Sequence, residues 1–303
     1  MPRGILGLTA AVLAAAAMIA TAAQAAELPV IYNGTYGYAH VSATASPPGA
    51  NNWSCRPSAA HPRPVVLVHG TFADMSDSWQ ALSPLLVNHG YCVFSLNYGS
   101  YAGAGALGIY ATGNIPSSAE QLSSFVDQVR TATGAAQVDI VGHSQGAMMP
   151  RYYLKNLGGA AKVHTLVGLA PSNHVTTLLG LATLAGYFPG ATAFLGLLCP
   201  ACEQQTAGSS FITSLNAGGD TVAGVDYTVI ESANDEVVTP YTSAFLSGPN
   251  VTNIKLQSQC FLDQGEHLSM PYDHIADADV LSALDPAHPQ KPACYLVLPV
   301  VGG

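Results

Sequence analysis

The chain has 303 residues, 49% of them hydrophobic and only 9% charged, with 9 Lys and Arg against 18 Asp and Glu for a net charge of −9. That composition fits a compact globule and excludes a disordered chain. No cluster of Lys or Arg occurs anywhere, which argues against a nucleic-acid partner, and the acidic balance disfavours any anionic polymer.

Residues 1–25, "MPRGILGLTAAVLAAAAMIATAAQA", join one basic residue, Arg3, to an apolar run and a small-x-small ending, Ala23-Gln24-Ala25. This is the pattern of a secretory signal peptide, and no basic stop follows it as it would follow a membrane anchor. The mature chain is expected to start near Ala26, and residues 26–303 are read as one domain with no internal repeat or long linker. Its six cysteines, Cys55, Cys92, Cys199, Cys202, Cys260 and Cys294, are an even count in an exported chain and read as three disulfides. Of the possible pairings, the neighbour scheme 55–92, 199–202, 260–294 closes loops without threading the fold. The "CPAC" at 199–202 could alternatively be a redox pair, but with no strand before it and no helix N-terminus after it, a local staple is expected.

"PVVLVHG" (64–70) is a short apolar run ending in Gly, as in a strand buried on both faces. "SWQALSPLLVNHG" (78–90) places Trp79, Leu82, Leu85 and Leu86 at helical spacing, and "YCVFSLNYG" (91–99) is the next strand. "SSAEQLSSFVDQVRTATG" (117–134) is the clearest helix, with a Ser117–Glu120 capping box and a closing Gly134. Strand 137–144 leads into a helix over 145–159, and strands are expected at 162–171, 225–232 and 251–258. Buried strands alternating with helices predict a mostly parallel α/β sheet with helices on both faces. From Val163 to Cys202 there is no Asp, Glu, Lys or Arg. The middle of this segment, 178–199, reads either as buried core or as an apolar cap over a pocket.

Gly142-His143-Ser144-Gln145-Gly146 is Gly-x-Ser-x-Gly, directly after a strand and before a helix. A serine exposed on such a turn can act as a nucleophile, and the glycines let strand and helix pack closely around it. It needs a base to take its proton, and in this context an acid and then a histidine follow in the chain. Asp235 and Glu236 lie beyond a late strand in "YTVIESANDEVVTP" (227–240). His267 follows the next strand, with His274 as its nearest rival. His288 sits in a Pro-rich tail, and His164 precedes any suitable acid. The N–H groups of Gln145 and of Thr71, in "HGTFAD" (69–74), are the candidate oxyanion donors, with Phe72 one residue off.

The pieces "VVLVHGT", "GHSQG", "QQTAGSSFITSLNAGGD", "ESANDEVVTP" and "EHLSMPYDHIADADVLSAL" together resemble the extracellular class 2 lipases of the α/β-hydrolase superfamily. They are locally similar to the yeast lipase B type. The resemblance implies an α/β-hydrolase fold, secretion and esterase chemistry without a cofactor or metal. It also implies Asp235 over Glu236 as the acid and His267, which follows Cys260 by several residues, as the base. Where the lipase B type has Thr-Trp before its serine, this chain has Gly142-His143, as bacterial members do. The expected partner is a lipid or other ester, met by a monomer at a lipid–water interface with no transmembrane segment once the signal is removed. Hydrolysis of polyesters or acyl transfer to an alcohol would use the same residues, and a binding protein on an inactive scaffold would not need them.

Overall fold

A computed structural model describes Met1 and residues 26–40, 42–188, 190–195 and 198–303. The signal-peptide reading of residues 1–25 falls, Met1 apart, outside the described residues, as do Pro189, Gly196 and Leu197 of the apolar segment. In chain order the elements are α1 (Gly34–His40), β1 (Val65–Val68), α2 (Met75–Ser78), α3 (Leu82–Asn88), β2 (Val93–Leu96), α4 (Ile115–Thr133), β3 (Val138–His143) and α5 (Gln145–Asn156). Then come β4 (Val163–Leu169), α6 (Leu178–Tyr187), α7 (Pro200–Gln205), α8 (Ser210–Asn216), β5 (Asp226–Glu231), β6 (Val251–Lys255) and α9 (His274–Leu284).

The strands form one sheet in the order β2-β1-β3-β4-β5-β6, and every pairing is parallel. β1 and β3 at the middle of the sheet are buried along their whole length, which is why they read as continuous apolar runs. Alternate residues serve opposite faces: Val66 and Val68 join the core that includes residues of α4 and α5, whereas Val65 and Leu67 join the core that includes residues of α3 and α9. The chain leaves β1 for β2 at the edge and then returns to β3 on the other side of β1. Loops after β1 and β3 therefore diverge from neighbouring strands at the carboxyl end of the sheet, the place where an open α/β sheet forms its crevice.

Two local expectations are corrected. The helix expected over 78–90 is split into α2 and α3. Asp74 caps an earlier turn through a capping box with Asp77, and Pro84, lacking an N–H, clashes with the carbonyl four residues back and bars a continuous helix through 79–81. The Ser117–Glu120 capping box does not open α4. Asn114 is the N-cap, its side chain accepting the Ser117 N–H, with Pro116 in the first turn; Gly134 does close the helix, at φ 75°.

The disulfides are Cys55–Cys92, Cys199–Cys202 and Cys260–Cys294. The staple at 199–202 sits differently from the expectation: Cys199 is the N-cap of α7, so a helix does begin there. Pro200 at the first helical position set that start, a signal present in "CPAC" itself. Among the described residues no helix is long and apolar enough to cross a membrane.

Candidate active site

β3 delivers Ser144 to a turn of φ 55° and ψ −123°, a backbone state that L residues rarely adopt, and α5 starts at the next residue. The turn can be this tight because its flanks have no side chains. A Cβ on Gly142 would collide with the carbonyl of Gly146, and one on Gly146 with the carbonyls of Val68 and His69. Ser144 is therefore locked between β1 and α5, and only 2% of it is exposed. The first N–H groups of α5 have no partner inside the helix and carry its positive end.

The loop after β1 comes beside this turn. Thr71 is buried, and its hydroxyl donates to Gln145 Oε1 at 2.8 Å. Phe72, at φ 69°, donates its N–H to the Tyr110 carbonyl at 3.0 Å, so that group is already used. Gln205 of α7 completes the arrangement: its Nε2 donates to Thr71 Oγ1 at 3.0 Å and to Gln145 Oε1 at 2.9 Å, while its Oε1 accepts from Ser172 at 2.9 Å. Sequence reasoning missed Gln205, although it lies within the quoted "QQTAGSS". The 199–202 disulfide stands at the head of the helix that carries it.

The acid and the histidine meet. His267 Nδ1 donates to Asp235 Oδ2 at 2.7 Å, with both side chains fully buried. Asp235 Oδ1 accepts the N–H groups of Val237 and Val238 at 2.7 Å each, which fixes its rotamer. Burial alone would lower the His267 pKa, but the adjoining Asp235 carboxylate, with Glu266 and Glu236 beyond it, raises it above 6.5. His143, the residue before the serine, packs its ring 4.8 Å from that of His267 and donates Nε2–H to the His267 carbonyl at 2.9 Å. Burial, then the nearby His267, holds His143 well below the usual histidine range, so it stays neutral. His69 is also neutral, its pKa lowered by burial to about 4.

The histidine loop is clamped by Glu266, whose carboxylate accepts the N–H groups of Leu268, Ser269 and Val300. Ser232, just after β5, donates to the Gly265 carbonyl at 2.6 Å and joins the acid loop to the histidine loop. From α1, Tyr38 donates to the Leu268 carbonyl at 2.9 Å. Glu236 does not meet His267. It is half-buried against Glu266, and burial, then the charge of Glu266, pushes its pKa up to about 7.

The other candidates lie elsewhere. His274 opens α9, with its two ring nitrogens on the carbonyls of Gly303 and Ala293 and its ring stacked on Tyr295. His288 is exposed beside Asp285, His174 faces Asp220, and His164 lies on β4 near Asp139. The apolar segment is in large part buried core. Leu181, Leu184, Ala185, Phe188 and Ala191 join the core, and Gly180 packs against the Val237 carbonyl of the acid loop. Thr176 Oγ1 donates to the Val237 carbonyl behind the acid loop, and Phe188 packs on Phe72 and Tyr38 beside the other loops.

The lipase (class 2) family model matches residues 62–276, which include Thr71, Ser144, Asp235 and His267. The chain belongs to that family. As a class 2 lipase it is similar to a triacylglycerol lipase of Pseudarthrobacter phenanthrenivorans, with 36% identity over 99 residues, 31% of this chain and 28% of that protein. It is likewise similar to a triacylglycerol lipase of Burkholderia plantarii, 36% over 99 residues, 31% of this chain and 25% of that protein. The matched stretch thus spans about a quarter of the length of these curated relatives. The crystal structure of Aspergillus fumigatus lipase B aligns with a TM-score of 0.59 at 21% identity, covering 82% of this chain and 57% of that one. That likeness places this class 2 lipase in the α/β-hydrolase fold.

Proposed function

We propose that this class 2 lipase is an exported serine hydrolase that cleaves carboxylic esters of lipids through a covalent acyl-enzyme. The observation that carries this reading is the fully buried 2.7 Å contact of His267 with Asp235, with His267 packed on His143, the residue before Ser144 at the head of α5. His267, with Nδ1–H held by Asp235, takes the Ser144 proton on Nε2 as Oγ attacks the ester carbonyl. His267 Nε2 is buried with no hydrogen-bond partner, so it is free to take that proton. The N–H groups of Thr71 and Gln145 receive the oxyanion, each worth about 3 kcal/mol by analogy with other acyl-transfer sites. The alcohol leaves with the proton from His267, and water repeats the sequence on the acyl-enzyme.

A lipid substrate fits the uncharged stretch from α6 to Phe188 and the relatives named triacylglycerol lipase. Since Ser144 is 2% exposed and His267 fully buried, an ester reaches them only if groups packed over the site move. Export fits the three disulfides and the signal-like first 25 residues. The test is twofold. A fluorophosphonate should label wild type at Ser144 and leave Ser144→Ala unlabelled, and a p-nitrophenyl ester series from short to long acyl chains, beside emulsified triglyceride, should be turned over by wild type alone. Absence of label and of turnover in the folded wild-type protein would refute the reading.

A further inference from the structure

Glu231, the last residue of β5, is fully buried four residues before Asp235, and the mechanism above leaves it unused. Its Oε1 accepts the Ser232 N–H at 2.8 Å, which fixes the carboxyl plane. Its Oε2 is buried with no partner, and the carboxyl faces that of Asp235. Asp235 is already accepting from three donors, the N–H groups of Val237 and Val238 on Oδ1 and the imidazole of His267 on Oδ2. Those donors mark Asp235 as the charged member and leave about one of its four acceptor positions open. Two charged carboxylates in contact inside a dry interior are strongly unfavourable, so the proton between them belongs to Glu231. In agreement, burial, and then the charge of Asp235, pushes Glu231 well above the usual carboxylate range.

We propose that Glu231 is a positioning residue for the acid–base pair: as a neutral carboxylic acid it donates a hydrogen bond to Asp235, fills its remaining acceptor position and holds it toward His267. The proposal rests on the reading of Ser144, His267 and Asp235 given above. The proton stays on Glu231 throughout turnover. Other titratable groups around the pair are Glu236 and Glu266, from the acid and histidine loops, and His143 at the end of β3. With the donor removed, Asp235 becomes the stronger base and stabilises the His267 imidazolium further. The acid limb of kcat/KM then moves to higher pH, because the imidazole holds its proton longer.

The experiment compares Glu231→Leu and Glu231→Gln with wild type and Ser144→Ala on a soluble p-nitrophenyl ester. Thermal melts and the downfield proton resonance of His267 Nδ1–H are recorded beside the kinetics. Glu231→Leu should lower kcat about 10–100-fold, the range for groups that orient a functional ligand, with KM within about twofold and the acid limb shifted upward. Glu231→Gln keeps both roles, its amide N–H replacing the acid and its oxygen accepting from Ser232, and should restore kcat to within about threefold. As an amide is the weaker donor, it should leave more charge facing His267 and move the Nδ1–H resonance. An acid limb that falls to lower pH in Glu231→Gln would mean that wild-type Glu231 is charged, and would overturn the proposal. So would a Glu231→Leu variant with wild-type kcat and limb. If Glu231→Leu does not fold, an unmoved resonance in Glu231→Gln overturns it. Wild type without label or turnover would instead overturn the functional reading, and the resonance, which needs no substrate, would still decide whether Glu231 donates to Asp235.

Discussion

Ser144 is held by the backbone of its turn, whereas the loops that carry Asp235 and His267 are held by hydrogen bonds to side chains. On the serine side, a positive-φ turn, two glycines pressed against carbonyls and a helix start fix the geometry within five residues and one neighbouring strand. On the acid–histidine side, Ser232 joins the two loops by donating to the Gly265 carbonyl, Glu266 gathers N–H groups of its own loop and of Val300, and Glu231 braces Ser232. The first kind of construction tolerates no added atom. The second tolerates changes of shape but depends on which carboxyl carries a proton.

The comparison is broken most severely at the turn. Gly146→Ala would drive a methyl into the backbone carbonyls of Val68 and His69 at the end of β1, with nothing flexible to give way, so no folded protein should be recovered; a soluble variant with a wild-type melt would show the turn to be looser than argued. Ser144→Ala and His267→Ala should fold normally and lose turnover by on the order of 10⁴–10⁶-fold. His274→Ala should keep turnover and lower stability by about 1–3 kcal/mol, because it removes the ring's contact with the Ala293 carbonyl and its stack on Tyr295, while the Gly303 carbonyl keeps the backbone N–H. The pair is assayed on one ester with melts as control, and the reverse outcome would move the base to His274.

Smaller effects sharpen the contrast. Gln205→Ala should cost roughly 10-fold in kcat with little change in the melt, since Gln205 braces Thr71 and Gln145 without touching the sheet core. Among the staples, removing Cys55–Cys92 should destabilise by about 4 kcal/mol, as its loop is long, and removing Cys199–Cys202 by about 2 kcal/mol. Losing the short one should show more in kcat, through α7 and Gln205, than its effect on the melt suggests. Equal melts for the two deletions would contradict this.

The same division decided what the residues alone could reveal. The parallel sheet, the serine turn and the order of acid and histidine are written in local patterns: apolar runs, glycines at fixed offsets, and loops that follow strands. Even the errors there were local, such as Pro84 splitting a helix and Asn114 taking a cap assigned to Ser117. The supports of the acid and histidine were not legible. Glu231 sits inside an apolar strand, and Glu266 and Gln205 lie next to residues of clearer meaning, with no spacing that marks them. Their roles arise from contacts such as Glu231 with Asp235 and Gln205 with Thr71, 134 residues apart in sequence, that only the folded chain creates.

The central claim, that an Asp235–His267 pair activates Ser144, is tested most directly by turnover of Asp235→Asn and Glu236→Gln on one soluble ester, with thermal melts as the folding control. Asp235→Asn should keep the fold and lose about 10⁴-fold in kcat, because the amide cannot hold the required tautomer or balance the imidazolium. Glu236→Gln should stay within about tenfold of wild type, because Glu236 meets Glu266 and not the imidazole. Near-wild-type turnover in Asp235→Asn would contradict the account and send the search for the acid to Asp263 or Glu236.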